Sequence, residues 1–330
     1  MSRVDFLGSP RAAGELGWLA HYRVLRLLGE GGMGMVFLAE DSLLSRPVAL
    51  KVIRPEIADT PGIAQRFMRE ARTTAAIKHD HIVTIYQVGQ ENGIPFLAME
   101  YLKGMSLDKW LDRGHRPSVE LVLRIGREIA AGLSAAHRRS LIHRDIKPAN
   151  IWLEAPAGRV KILDFGMARS EREDVEITGT GAVVGTPAYM APEQARGEPA
   201  GTSSDLFSLG CVLYRLCARR LPFEGDSVIA VLTSISTETP PAPRDLNDRI
   251  PASLSDLIMR LLHKMPEARP VSAESVDREL LNIESELLAQ RQSMESSAAV
   301  PPMDVVAPGS QSAGEAVAET SPTLDRKSVV

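Results

Sequence analysis

The chain has 330 residues, 44% hydrophobic and 24% charged, with a formal net charge of -4. That places it in the globular range, long enough for one bilobed domain with a sizeable core. The charge gives no overall attraction to nucleic acid or anionic lipid, and no basic run supplies a local one.

Residues 1–21 carry Gly, Pro and Arg without sustained periodicity, so a loosely ordered leader is expected before a first strand at His21–Leu25. From Tyr22 to about Met99 the pattern is mostly short β-rich runs, among them 35–38, 48–53 and 96–99. One helix interrupts them over roughly 62–77, opened by Pro61. A hinge near 100–104 follows, and then the pattern turns helical. Leu121, Ile125, Ile129 and Leu133 recur every four residues and predict a helix over 119–137 with one apolar stripe facing the core. Further helices are expected at 204–218, 225–236, 253–264 and 272–290. Residues 291–330, rich in Ser, Ala, Pro and Val, are expected to form a disordered tail. The result is an α+β fold: a small β-rich N-lobe (22–100) with one main helix, a larger helical C-lobe (101–290) and a cleft between them. Cys211 and Cys217, the two cysteines, lie six apart in an apolar stretch and read as buried thiols in a reducing compartment. With no secretory h-region and no membrane-length apolar run, a cytoplasmic chain without a membrane span is expected.

The segment Gly29-Glu30-Gly31-Gly32-Met33-Gly34-Met35-Val36 fits G-x-G-x-x-G-x-V, in which backbone amides can approach phosphate oxygens closely. A β-branched, aromatic run follows at once, so the loop reads as strand-turn-strand rather than as a dinucleotide fingerprint leading into a helix. A plain glycine-rich hairpin is the other reading. Next, Val48-Ala49-Leu50-Lys51 puts a lysine on an otherwise apolar strand. Alternation sends Ala49 and Lys51 to the face that the glycine loop covers, where the ammonium needs phosphates and a carboxylate. Glu70, on the following helix, is the candidate carboxylate; a solvated helix face is its alternative.

His143-Arg144-Asp145-Ile146-Lys147-Pro148-Ala149-Asn150 and Asp164-Phe165-Gly166 follow in order. With them, residues 22–290 resemble the eukaryotic-like protein kinase family, and in particular its bacterial serine/threonine branch. The resemblance implies phosphoryl transfer from ATP to protein hydroxyls. That reaction is governed by positioning and by electrostatic stabilisation of dispersed negative charge. Asp145 would then accept the proton of the substrate hydroxyl, Lys147 would hold the γ-phosphate, and Asn150 and Asp164 would bind Mg²⁺, with Mn²⁺ as a substitute. The nucleotide would meet Leu28, Gly29, Gly31, Gly34, Val36, Ala49 and Lys51 on the N-lobe. It would also meet Met99 as gatekeeper, Glu100 and Leu102 in the hinge, and Trp152 below. Trp152 departs from the aliphatic or Met side chain usual in the family, so its indole either floors the pocket or turns aside. Lys147 and Gly185-Thr186-Pro187 resemble the serine/threonine type, with Thr186 contacting Asp145 and Lys147. The family pattern pairs Glu193 with Arg269 and has Asp205 hold the catalytic-loop backbone, both scaffolding roles.

Arg144, directly before Asp145, goes in this family with control by activation-segment phosphorylation, for which Thr178 and Thr180 are the candidates. Exposed loop threonines are the other reading. The expected partners are protein substrates with Ser or Thr acceptors and a transient homodimer for trans-autophosphorylation. Thr74 and Met265 depart from the family pattern, which has an apolar residue and Asp at those places. Two rival functions are a pseudokinase scaffold and a small-molecule phosphotransferase. The first has no chemical need for Lys51, Asp145, Asn150 and Asp164 together, and the second lacks a segment running from Gly185 to Glu193.

Overall fold

The computed structural model describes residues 5–31, 34–58, 62–165 and 187–298. The chain divides into two units, Met1–Leu287 and Leu288–Val330, and the site lies in the first.

The N-lobe consists of β1 (Gly17–Leu19), β2 (Tyr22–Gly31), β3 (Gly34–Asp41), β4 (Arg46–Ile53), α1 (Pro55–Ala58), α2 (Ile63–Ala75), β5 (Ile85–Glu91) and β6 (Ile94–Glu100). Its strands form one antiparallel sheet in the order β1-β2-β3-β4-β6-β5. The two-residue period of β4 supplies two hydrophobic clusters at once. Val48, Leu50 and Val52 pack with Tyr22, Phe37 and Phe96 on one face. Ala49 and Ile53 pack with Phe67 and Ala71 of α2 on the other, the face that carries Lys51.

The leader differs from the expectation of loose order from its fifth residue onward. Strand β1 precedes the predicted first strand and pairs with β2. Gly8 and Trp18 exchange backbone hydrogen bonds at 2.7 and 3.0 Å, and a Cβ on Gly17 would lie only 2.4 Å from the Gly8 carbonyl oxygen. Phe6 and Leu7 pack on the first cluster, with the Phe6 and Phe37 rings edge to face at 6.3 Å. The Glu15 carboxylate accepts the N–H groups of Arg11 and Ala12 and the Trp18 indole N–H at 2.8, 3.1 and 3.0 Å. Order here comes from docking a few large apolar side chains on a preformed sheet, which leaves no periodic trace in the sequence.

The C-lobe begins with β7 (Gly104–Ser106), α3 (Leu107–Asp112) and α4 (Val119–His137) and continues with β8 (Ile151–Glu154) and β9 (Arg159–Ile162). Strands β7, β8 and β9 form a small sheet in that order. Among the described residues, six α-helices follow: α5 (Pro192–Ala195), α6 (Thr202–Ala218), α7 (Val228–Thr237), α8 (Pro243–Leu246), α9 (Ala252–Leu261) and α10 (Ala273–Ala298). Ser118 caps α4 by accepting the Leu121 N–H, and Ile125, Ile129 and Leu133 are wholly buried, as the stripe predicts. Helix α6 is apolar almost all round and runs through the centre of the lobe. Its two thiols, Cys211 and Cys217, are buried, and burial pushes Cys217 up to about 12.

The last helix continues to Ala298, so residues 291–298 are not part of a structureless tail. They include Arg291, Gln292 and Met294, good helix formers that extend a helix already nucleated upstream. The remainder of the expected tail, 299–330, lies outside the described residues. Among the described residues no helix is long and apolar enough to cross a membrane.

Candidate active site

The glycine-rich segment lies where β2 ends and β3 begins, with Gly29 facing Val36 and Gly31 facing Gly34 across the ladder. A Cβ on Gly29 or Gly31 would meet nothing within 4 Å, so both backbones stand open to an incoming group. Gly34 is required for packing, because a Cβ there would lie 2.2 Å from the Val52 carbonyl oxygen. Beneath the loop, Leu28, Val36, Ala49, Met99, Leu102 and Trp152 gather in one cluster with Leu163. The Trp152 indole lies within this cluster and donates its N–H to the Lys103 carbonyl at 3.2 Å. Glu100 departs from this group: its carboxylate accepts the Thr84 N–H at 2.7 Å and pairs with Lys161 at 2.8 Å.

The catalytic-loop segment is fixed from beneath. Asp205, completely buried at the start of α6, accepts the backbone N–H groups of His143 and Arg144, each at 2.8 Å, and contacts His137 Nε2 at 2.8 Å. His143 receives the Asp145 N–H on Nδ1, so its Nε2 carries the proton and donates to the Leu163 carbonyl at 2.8 Å. These anchors hold Arg144 at φ 64°, a left-handed backbone that a side-chain-bearing residue adopts only when its surroundings impose it. On this frame Asp145 Oδ2 meets Lys147 Nζ at 2.7 Å and Asn150 Nδ2 at 3.0 Å, and Asn150 Nδ2 also donates to the Asp145 carbonyl. The nitrogen end of Asn150 is thereby committed, so a cation would be met by its amide oxygen.

Lys51 does not pair with Glu70. Its ammonium lies 2.7 Å from Asp164 Oδ1. Burial alone would push the Asp164 carboxyl up, but Lys51, with His143 and Lys147 behind it, outweighs that and holds it below its usual value. Glu70 Oε2 is buried without a hydrogen-bond partner among the described residues, and burial raises its carboxyl above the ordinary value despite the opposing charge of Arg144. The expectation fails because sequence spacing places Glu70 on the facing helix but leaves undetermined which of two acids the ammonium meets. Thr74, one turn later, is buried and returns its hydroxyl to the Glu70 carbonyl at 2.9 Å.

Glu193 and Arg269 form a bidentate pair at 2.7 and 2.8 Å, with the Ser204 hydroxyl donating to Glu193 at 2.6 Å. Burial opposes ionisation of Glu193, but the guanidinium and the hydroxyl prevail and hold its carboxyl below the usual range. Gln194 joins this segment to the catalytic loop by donating to the Arg144 carbonyl at 3.1 Å. Thr178, Thr180 and Thr186 lie outside the described residues. Sequence reasoning missed Lys161, Gln194 and His137. Lys161 carries a signal of its own, a lone charge in the apolar run from Val160 to Leu163, whereas the other two look like ordinary helix residues.

A family model described as the protein kinase domain matches residues 22–281. The serine/threonine-protein kinase pkn3 of Myxococcus xanthus is 40% identical over 295 residues, covering 86% of this chain and 54% of that protein. PrkC of Bacillus subtilis is 37% identical over 260 residues, covering 78% and 40%, and PknB of Mycobacterium leprae is 37% identical over 268, covering 80% and 43%. The chain thus spans about half or less of the curated relatives it matches. Among solved structures, the kinase domain of PknI from Mycobacterium tuberculosis superposes with a TM-score of 0.66 at 28% identity, covering 82% of this chain and 97% of that one. These relatives are bacterial serine/threonine-protein kinases by name, and with the span from 22 to 281 matched by the family model, the chain belongs to the protein kinase family.

Proposed function

We propose that this chain transfers the γ-phosphoryl group of ATP to serine and threonine hydroxyls of proteins. The observation that carries the reading is Asp145, its carboxylate anchored on Lys147 and Asn150 while Asp205 holds the backbone N–H groups of the two residues before it. A carboxylate so fixed can accept the proton of an acceptor hydroxyl and orient its oxygen for in-line attack. Lys147 also helps keep Asp164 charged. The donor set of a carboxylate on Asp164 and an amide oxygen on Asn150 suits a hard divalent cation, Mg²⁺ with Mn²⁺ as a substitute. ATP supplies the phosphoryl group, and the metal offsets the charge on its phosphates. Lys51 and Asp164, paired here, would turn to phosphate oxygens and cation respectively, while Leu28, Val36, Ala49, Met99, Leu102 and Trp152 would enclose the adenine.

A protein acceptor is favoured over a small molecule by the segment from Pro187 to Gln194, tied to the core through Ser208 on the Tyr189 carbonyl at 2.7 Å and through Gln194 and Glu193. Such a platform can seat an extended peptide beside Asp145. We place the domain at 22–290, with control by autophosphorylation at Thr178 and Thr180 acting through Arg144, in a transient homodimer. The buried thiols fit the reducing cytoplasm. The test is transfer of labelled phosphate from Mg-ATP to a generic protein substrate. Lys51→Met should reduce transfer to background, and equal transfer by wild type and Lys51→Met would overturn the reading.

A further inference from the structure

The connector between the lobes runs from the end of β6 to the start of β7 and includes Glu100 and Lys103. Both are gripped from the β8–β9 hairpin. Lys161, on β9, is only 5% exposed, and its ammonium lies 2.8 Å from Glu100 Oε1 and 3.5 Å from the Ile82 carbonyl. The same carboxylate oxygen accepts the Thr84 N–H, and the Glu100 N–H donates to the Thr84 carbonyl at 2.9 Å. Trp152, on β8, stands directly opposite Lys161 in the hairpin ladder. Directly opposed residues of an antiparallel pair project from the same face. Both side chains therefore reach the connector together, Trp152 through its indole N–H on the Lys103 carbonyl. An aliphatic residue at 152 could make no such bond.

The other end of this hairpin carries the two residues read as metal ligands. Asn150 immediately precedes β8, Asp164 follows β9 by two residues, and the Leu163 N–H donates to the Asn150 carbonyl at 2.8 Å. One small rigid element thus joins the connector at one end to Asn150 and Asp164 at the other. We propose that Lys161 and Trp152 are positioning residues that clamp the connector onto the β8–β9 hairpin, and so set the adenine end of the nucleotide in register with Asn150 and Asp164. The inference rests on the nucleotide-binding reading above. Two independent grips, a charge-assisted one on the Glu100 carboxylate and a neutral one on the Lys103 carbonyl, lie on the two sides of Leu102.

The test compares wild type with Trp152→Phe, Lys161→Met and Lys161→Arg. Trp152→Phe keeps a ring and removes one donor, so it remains informative if Lys161→Met folds poorly. Amide hydrogen exchange of residues 100–103 without nucleotide, and KM for ATP against kcat, are read on each. Exchange in the connector should accelerate about ten-fold in Trp152→Phe and Lys161→Met with the rest of the chain unchanged. KM for ATP should rise roughly five- to ten-fold while kcat changes less, and Lys161→Arg should restore most of both. Unchanged exchange and KM in both variants would overturn the clamp. So would acceleration spread over the whole chain without rescue by Lys161→Arg, which would mark a merely structural role. If wild type failed to bind Mg-ATP, the functional reading would fall, while the exchange measurement would still decide whether the connector is clamped.

Discussion

Removing the carboxylate of Glu193 should destabilise the C-lobe strongly, because it strands a buried guanidinium. The Arg269 side chain is 0% exposed and that of Glu193 5%. In Glu193→Ala the guanidinium keeps the carbonyls of His263, Ser203 and Lys264 at 2.8, 2.9 and 3.1 Å but loses the carboxylate that pairs with it. An uncompensated buried charge costs about 3–5 kcal/mol. The Ser204 hydroxyl, left without its acceptor, adds roughly 1 kcal/mol. Against a total stability of about 5–15 kcal/mol, that should lower the melting temperature by on the order of 10 °C. Urea unfolding followed by far-ultraviolet dichroism measures the free-energy loss, and a thermal scan the shift in melting temperature. Glu193→Ala combined with Arg269→Met should cost clearly less than the sum of the single changes, since the second removes the stranded charge. A loss below about 1 kcal/mol in Glu193→Ala, or strict additivity in the pair, would refute this account of the scaffold.

The same pair gives a pH dependence. Glu193 has a folded value below its ordinary 4.5, so its contribution is complete above that pH and is lost as pH falls from 4.5 through the folded value. Acid unfolding of wild type should accordingly be steeper below pH 4.5 than that of Glu193→Gln, and parallel acid profiles would count against it. ATP binding should change tryptophan emission, and the change should vanish in Trp152→Leu; a change surviving in that variant would assign it to Trp18 or Trp110 instead. Replacing Thr178 and Thr180 together by Ala should lower turnover several-fold with the melting temperature unchanged, whereas full activity in the double variant would remove them as control points.

Features that depend on local spacing were legible in the sequence. Helix α4 occupies 119–137 as its four-residue stripe predicts, because both the stripe and the Ser118 cap are written within one segment. The apolar residues Leu28, Val36, Ala49, Met99, Leu102 and Trp152 also meet in one cluster, since strand alternation and motif order fix which faces they occupy. What escaped depends on contacts between distant segments. The partner of Lys51 is a choice between Asp164 and Glu70, made by how the lobes and α2 sit, and no pattern in either segment encodes it. The leader gains order only by placing Phe6 and Leu7 on a sheet formed elsewhere. Lys161 is visible as a buried-strand charge, but its partner Glu100 is 61 residues away. The extension of α10 to Ala298 was obscured by the Ser- and Ala-rich composition beyond it.

If Asp145 directs phosphoryl transfer from ATP to protein hydroxyls, its loss should be visible in the pattern of phosphorylated residues. Phosphosite mapping by mass spectrometry, after incubating wild type and Asp145→Asn with Mg-ATP and a generic protein substrate, reads that pattern. Wild type should acquire phosphate on Ser and Thr of the substrate and on its own Thr178 and Thr180, and Asp145→Asn should acquire none. Equal phosphorylation in the two proteins, or none in either, would contradict the account.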